Sequence, residues 1–359
     1  MFHPNFTISP KTTQCLMDIE VSRQSISTLP VTSQLLASLR ESARLTSTHY
    51  STQIEGNRLT EAEVAEVAKG GTFPNRKRDE AEVKNYFLAL DYVEELCRGP
   101  FDKFSCEMIQ TVHGCVMDGK RKPSPYRDGQ NVIRESGSGA IIYMPPEAKD
   151  VTSLMEEFVD WINMQRSSTN ERAWPPPVVA AIAHYQFATI HPYYDGNGRT
   201  ARLLTNLILH ASGYGLKGIY SLEEYYAQNL DTYYSAISVG ESHNYYMGRA
   251  EADISAWIEY FNQGMADSFA SVRQQAEKLR QQPDQTKLLR ELDTRQKSIL
   301  SAFRESRYLT TQQIANHLGI SPRTALNYNQ AWVAQGFILQ YGERKNRRYE
   351  LAERWVELL

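Results

Sequence analysis

The sequence predicts a mainly α-helical protein, a helical body of about 280 residues carrying one short β-hairpin, followed by a small C-terminal domain. Three observations predict it. Apolar residues recur at three- and four-residue spacing through most of the chain, the signature of helices with one buried face. One stretch in the body, "SGSGAIIYMPP" (Ser136 to Pro146), reads as extended. The composition then shifts at "QQPDQT" (Gln281 to Thr286), a plausible linker.

Taken in order, "SQLLASLRESARLTSTHYSTQIEG" is helical and ends at Glu55-Gly56. "EAEVKNYFLALDYVEELCRG" and "DVTSLMEEFVDWINMQ" continue the pattern. "PPVVAAIAHYQFATI" opens on Pro175, Pro176 and Pro177, at the first turn, where missing amide donors cost least. "RTARLLTNLILHASGYG" is strongly apolar, with Gly213 and Gly215 suited to stop it. "SLEEYYAQNLDTYYSAISVG" and "AEADISAWIEYFNQGMADSFASVRQQAEKLRQQ" follow as helices. In the extended stretch, glycines precede four apolar residues and two prolines close it, a short hairpin. Beyond the linker come three short helical patterns and the basic ribbon "LQYGERKNRRYEL". From Lys287 onward there are twelve Lys/Arg against seven Asp/Glu, so this end is basic and the remainder acidic.

Bulk properties narrow the function classes. The chain has 359 residues, 41% hydrophobic and 23% charged, which is ordinary globular composition. No apolar run approaches a membrane span, and "MFHPNFTISPKT" lacks the basic and apolar regions of a secretory leader, so a cytoplasmic protein without a membrane partner is expected. Cys15, Cys97, Cys106 and Cys115 form no CxxC pair and read as reduced thiols.

The chemistry is concentrated in "HPYYDGNGRTAR", His191 to Arg202. Glycines around Asn197 leave backbone amides uncovered, and the residues after Gly198 start a helix, so the turn suits an anion-binding nest. Arg199 and Arg202 add two guanidinium groups for a polyphosphate. Asp195 is a candidate ligand for the Mg2+ that accompanies a nucleoside triphosphate, and His191 a candidate general base. There is no GK[ST], so this is not a Walker loop.

The stretch resembles the Fic signature HxFx(D/E)GNGRxxR, with Tyr193 in the phenylalanine position, and the likeness extends over about Met17 to Gly264. The resemblance implies a Fic-type helical core that moves AMP from ATP onto a Ser, Thr or Tyr hydroxyl of a target protein, or of the chain itself. It makes His191 the base and Asp195 the holder of Mg2+ against the α- and β-phosphates. Gly196, Asn197, Gly198 and Arg199 become the phosphate cradle, with Asn197 at the α-phosphate, Thr200 and Ala201 beside them, and Arg202 at the γ-phosphate. Ala140, Ile141, Ile142 and Tyr143 take the place of a flap that covers the nucleotide and holds the target by strand addition. Tyr233 and Tyr234 match the adenine-contacting place, with buried packing as the rival explanation.

Upstream, "STQIEGN" fits the inhibitory pattern (S/T)xxxE(G/N) of the same family, with Ser51, Glu55 and Gly56 in register. The resemblance implies that Glu55 pairs with Arg202 and occupies the γ-phosphate space. The expected organisation is then an N-terminal helical region at 1–100 with the inhibitory motif at 51–56, a catalytic core at 101–280, and a module at 287–359.

That module, "LTTQQIANHLGISPRTALNYNQAWVAQGFI" and its ribbon, resembles a winged helix-turn-helix. Gly319 sits at the turn, Ser321-Pro322 opens the second helix, and Arg323, Thr324, Asn327 and Tyr328 project from it. Arg344, Lys345, Arg347 and Arg348 fall in the wing and suit DNA phosphates. Protein binding or dimerisation by the same fold is the alternative. For the whole chain, the alternatives to an autoinhibited adenylyltransferase are a nucleotide-sensing DNA-binding regulator with a non-catalytic Fic domain, removal of AMP by the same site, and transfer of a different phosphate-bearing group. A homodimer that buries the inhibitory helix is one arrangement of the open oligomeric state.

Overall fold

The computed structural model describes all residues except 1, 29–32, 100, 102, 135–137, 168, 170, 172, 241, 282–284, 343–346, 357 and 359. The chain divides into two compact units, Met1–Ala276 and Glu277–Leu359. The first contains α1 (Pro10–Thr28), α2 (Ser33–Ile54), α3 (Glu61–Ala68), α4 (Lys77–Leu96) and α5 (Cys106–Asp118). The hairpin β1 (Ile133–Arg134) and β2 (Ile141–Tyr143) follows, then α6 (Ala148–Arg166), α7 (Pro176–Ile190), α8 (Asn197–Ala211), α9 (Leu222–Gln228), α10 (Leu230–Ile237) and α11 (Ser255–Gln281), whose last turn falls past the division at Ala276.

The pair α7–α8 forms the centre. From Pro177 to Ile190 every residue of α7 except Ala188 is buried, as expected of a helix apolar on all sides. α8 packs along it, α2, α4 and α5 pack against α8, and α6 covers α7. α2 and α4 therefore share the core of the later helices, and no separation falls near residue 100. A satellite cluster of Leu59, Val64, Val67 and Val83 holds α3 beside the end of α2. Gly56 stops α2 with φ +91°, a conformation glycine adopts without strain.

Two expectations need correction. The run 222–237 is two helices, because Asn229 (φ −124°, ψ 41°) breaks the backbone between α9 and α10. The stretch Ser136–Pro146 supplies only β2. Its antiparallel partner is Ile133–Arg134, upstream, and residues 135–137 lie outside the described ones.

The second unit holds α12 (Gln285–Glu291), α13 (Thr294–Glu305), β3 (Leu309–Thr310), α14 (Thr311–Leu318), α15 (Pro322–Ala334), β4 (Ile338–Tyr341), β5 (Arg348–Leu351) and α16 (Glu353–Val356). Its antiparallel sheet has the order β3-β5-β4, and its own core includes Ile299, Phe303, Ile314, Trp332, Phe337 and Tyr349. Gly319 ends α14 in the left-handed conformation, and Ser321 caps α15 by accepting from the Thr324 amide. Among the described residues, no helix is long and apolar enough to cross a membrane.

Candidate active site

The turn from α7 to α8 is built by a few enforced conformations. His191 ends α7 with φ 51° and ψ 58°, left-handed for a side-chain-bearing residue, while its amide still donates to Phe187 O at 3.0 Å. Nδ1 lies 3.3 Å from Ala188 O. A carbonyl only accepts, so the Nδ1–H donates and Nε2 keeps its lone pair. Burial lowers the imidazole pKa to about 4, and the ring is neutral at pH 7.

Asn197 closes the loop: its Oδ1 accepts from the Tyr193 amide at 3.0 Å and its Nδ2 donates to Tyr193 O at 2.8 Å. Those bonds engage both ends of the side chain in loop closure, which leaves the backbone amide as its free donor. The Tyr193 ring stacks on His113 at 3.5 Å and 8°, and His113 Nε2 donates to Asp195 O at 2.9 Å. Gly196 has φ +76°, and a Cβ there would collide with Met117 Sδ and crowd His113. A side chain there would be strained by the positive φ and would have to displace Met117.

The result is an open nest. The first bond of α8 runs from the Thr200 amide to Gly196 O at 3.0 Å. Among the described residues, no acceptor meets the amides of Asn197, Gly198 or Arg199, three aligned donors at the positive end of a helix dipole. Arg199 is 3% exposed and reaches Asp195 Oδ1 at 3.4 Å, with its Nε unpartnered among the described residues. Such a cation and such amides are a receptor for an anion.

One anion is already there. Glu55 Oε1 accepts from Arg202 Nη2 at 2.8 Å and occupies the space that a Cβ at Gly198 would need. Arg202 is 2% exposed and also donates to Ser51, from Nε to Oγ and from Nη2 to the carbonyl, both at 2.8 Å. α2 is aimed from behind by Glu223, a carboxylate 1% exposed. Glu223 accepts from Ser47 and Ser221 at 3.0 Å, Asn206 at 2.9 Å and Tyr86 at 3.2 Å, so α2, α4 and α8 meet on one buried charge.

The other expected site residues divide. Asp195 is 61% exposed at its side chain and offers the nest one carboxylate. Thr200 and Ala201 are fully buried on α8, and the Thr200 amide already donates to Gly196 O. Ala140, Ile141 and Ile142 are exposed on the flap, whereas Tyr143 turns inward and donates to Thr189 O at 2.7 Å. Past Tyr143, Met144 is paired to His243 O and the Tyr245 amide, so the free edge of β2 stops there. Tyr233 is buried with its hydroxyl 3.0 Å from His184 Nε2, and Tyr234, 48% exposed, is the neighbouring ring open to solvent. Residues not anticipated are His113, Arg127 and Glu223, which lie in segments without a motif and act only through tertiary contact.

Residues 103–209 match the Fic/DOC family. Protein adenylyltransferase Fic of Drosophila yakuba is 29% identical over 204 residues, covering 55% of this chain and 39% of that protein. The match thus spans about two fifths of the length of such curated relatives. Among solved structures, a Fic family protein from Desulfovibrio desulfuricans superposes with TM-score 0.70 at 23% identity, covering 98% of this chain and 99% of its own. Fic-1 from C. elegans superposes with TM-score 0.59 at 23% identity over 75% of this chain and 73% of its own. The matched segment contains α5, the flap, α6 and α7, and most of α8; the Glu55 contact reaches it from outside.

Proposed function

We propose that the chain is a protein adenylyltransferase that transfers AMP from ATP to a protein hydroxyl and is held back by Glu55. The observation that carries this reading is the nest of three unmet amides at the start of α8, flanked by Arg199 and Arg202, with the His191 imidazole at the opposite end of the same turn. The names of the curated relatives support it.

His191 Nε2 takes the proton of the target hydroxyl, whose oxygen attacks the α-phosphorus of ATP; the bond to the β-phosphate oxygen breaks and pyrophosphate leaves. The neutral ring is ready to accept, and the triphosphate beside it favours the charged form and raises its pKa toward neutrality. The amides of Asn197, Gly198 and Arg199 meet charge building on the phosphates. Arg202 takes the γ-phosphate once Glu55 leaves, and the flap holds the target strand along β2.

Asp195 fits a magnesium site of one kind. Among the described residues no three His, Cys, Asp or Glu converge, and Asp195 stands alone and solvent-facing. Mg2+ commonly takes one or two carboxylates, its other ligands being water and substrate phosphates. Asp195 would hold it, and when bound it neutralises phosphate charge. Because Asp195 Oδ1 already accepts from the Gly196 amide at 2.6 Å, Oδ2 is the oxygen available.

The test uses wild type, Glu55→Gly and Glu55→Gly/His191→Ala with ATP labelled at the α- and then the γ-phosphate. Label from the α position alone, raised by the first change and abolished by the second, supports the reading. Label from the γ position overturns it.

For the second unit we propose a winged helix that binds duplex DNA. Arg323, Thr324 and Asn327 are exposed on α15 and Arg348 on β5, with Tyr328 half-buried beneath Arg295 and Arg347 half-buried before β5. Arg344 and Lys345 lie outside the described residues. Duplex affinity that falls steeply with salt supports this, and none at low salt overturns it. A cytoplasmic setting and a homodimer belong to the same reading; sedimentation velocity decides the second.

A further inference from the structure

Arg127, between α5 and the flap, is 3% exposed and faces only neutral acceptors. Its Nε donates to His191 O at 3.0 Å, Nη1 to Gly129 O at 3.1 Å and Nη2 to Pro146 O, while its amide donates to Pro192 O at 2.9 Å. No carboxylate pairs with it among the described residues. A buried cation with no counter-ion is costly, and here one guanidinium fork spans three chain segments: the strap 127–129, the exit of the flap, and the carbonyl of His191. That carbonyl belongs to a residue held left-handed, a conformation that persists only where surroundings over-determine it.

We propose that Arg127 is the positioning residue of the base: it holds His191 in its left-handed conformation and ties that conformation to the seating of the flap. The proposal rests on the reading of His191 as the base. Arg127 touches neither the amide nest nor the Glu55–Arg202 pair, so its loss acts on turnover and spares nucleotide binding. Its charge also helps keep the imidazole neutral, against Glu55 on α2 and Asp195 on the following loop, which act the other way, and the Ala188 carbonyl. The groups facing Arg127 itself are Tyr143, Tyr194 and Tyr246.

The experiment compares Arg127→Gln and Arg127→Lys in the full chain with Glu55→Gly, measuring ATP affinity by calorimetry, kcat and KM for self-modification, and the acid limb of kcat/KM. Misplacing a base by about 1 Å costs on the order of a hundredfold. Arg127→Gln is expected to lower kcat by about ten- to a hundredfold, keep the ATP Kd within about twofold, and move the acid limb upward. Arg127→Lys keeps the charge and cannot span three carbonyls, so kcat falls while the acid limb stays. Parallel loss of ATP affinity and kcat, or unchanged kcat in both variants, overturns the proposal. If Arg127→Gln does not fold, the Lys variant alone decides it by the split between kcat and Kd. Loss of activity in His191→Ala with none in the Arg127 variants sinks the positioning role alone. Full activity in His191→Ala sinks the base reading beneath it.

Discussion

Glu55 Oε1 stands 2.8 Å from Arg202 Nη2, in the space beside Gly198 that a side chain there would have to share. On the proposed reading, the same bare glycine that would let a phosphate approach the helix start lets the carboxylate enter first. If about 3 kcal/mol favours this seating, roughly 1% of molecules are open to ATP in the productive pose. Glu55→Gly is therefore expected to raise the initial rate of AMP incorporation by about a hundredfold, read by mass spectrometry. An equal rate in both proteins would remove Glu55 from control.

Gly198→Ala separates the socket from the plug. The site lies inside α8 without a positive φ, so the helix accepts alanine. Its methyl group displaces Glu55 yet fills the anion's place. ATP affinity is expected to fall at least about tenfold, and adding Glu55→Gly should not restore it. Calorimetric titration of both variants checks this; recovery in the double variant would show that only Glu55 had been in the way.

The acid limb of kcat/KM reports the base in the free enzyme. Burial holds His191 at about 4. The rate of the Glu55→Gly protein should therefore be flat from pH 7 down to about 5 and fall below that. A limb centred near 6.5 would indicate an imidazole far more hydrated than the one seen here.

Stability should depend on acid for a related reason. His184 is fully buried between Thr205 and Tyr233, and its pKa is lowered from 6.5 to about 3 by burial first and Arg202 second. The unfolded chain binds this proton and the folded one does not, so stability is full above pH 6.5 and declines as pH falls toward 3. At pH 5 the loss is about 2 kcal/mol. Thermal unfolding followed by circular dichroism between pH 7.5 and 4.5 tests it, and a Tm independent of pH over that range would refute it.

Glu223→Gln offers a partial release. An amide presents a donor where four donors already converge, so about 1–3 kcal/mol of stability is expected to go. α2 then loses its aim, and AMP incorporation rises in the wild-type background while staying unchanged beside Glu55→Gly. A rise in both backgrounds would place the effect elsewhere than on Glu55.

The fold was legible where periodicity is strong: α2, α4, α6, α7 and α8 stand out because their apolar faces are long. α1 was missed because its polar residues mask a thin buried stripe of Cys15, Ile19 and Ile26. The split at Asn229 was invisible because one bent residue leaves the apolar spacing intact on both sides. In the site, residues that act through local chain geometry were readable from spacing, since the nest needs only a helix start and small residues. Arg127, His113 and Glu223 work on partners 64, 82 and up to 176 positions away, a distance that no window along the chain spans.

The burial of Ser51 and the anchoring of Ser47 have a kinetic consequence. α2 is built into the core of the body, so on the proposed reading opening requires only the Glu55 side chain to swing, with no segment departing. Rotamer changes of that size take nanoseconds to microseconds, far shorter than a catalytic cycle. Onset of modification after mixing with ATP should therefore show no lag, and the fraction of open molecules acts as a constant multiplier on the rate.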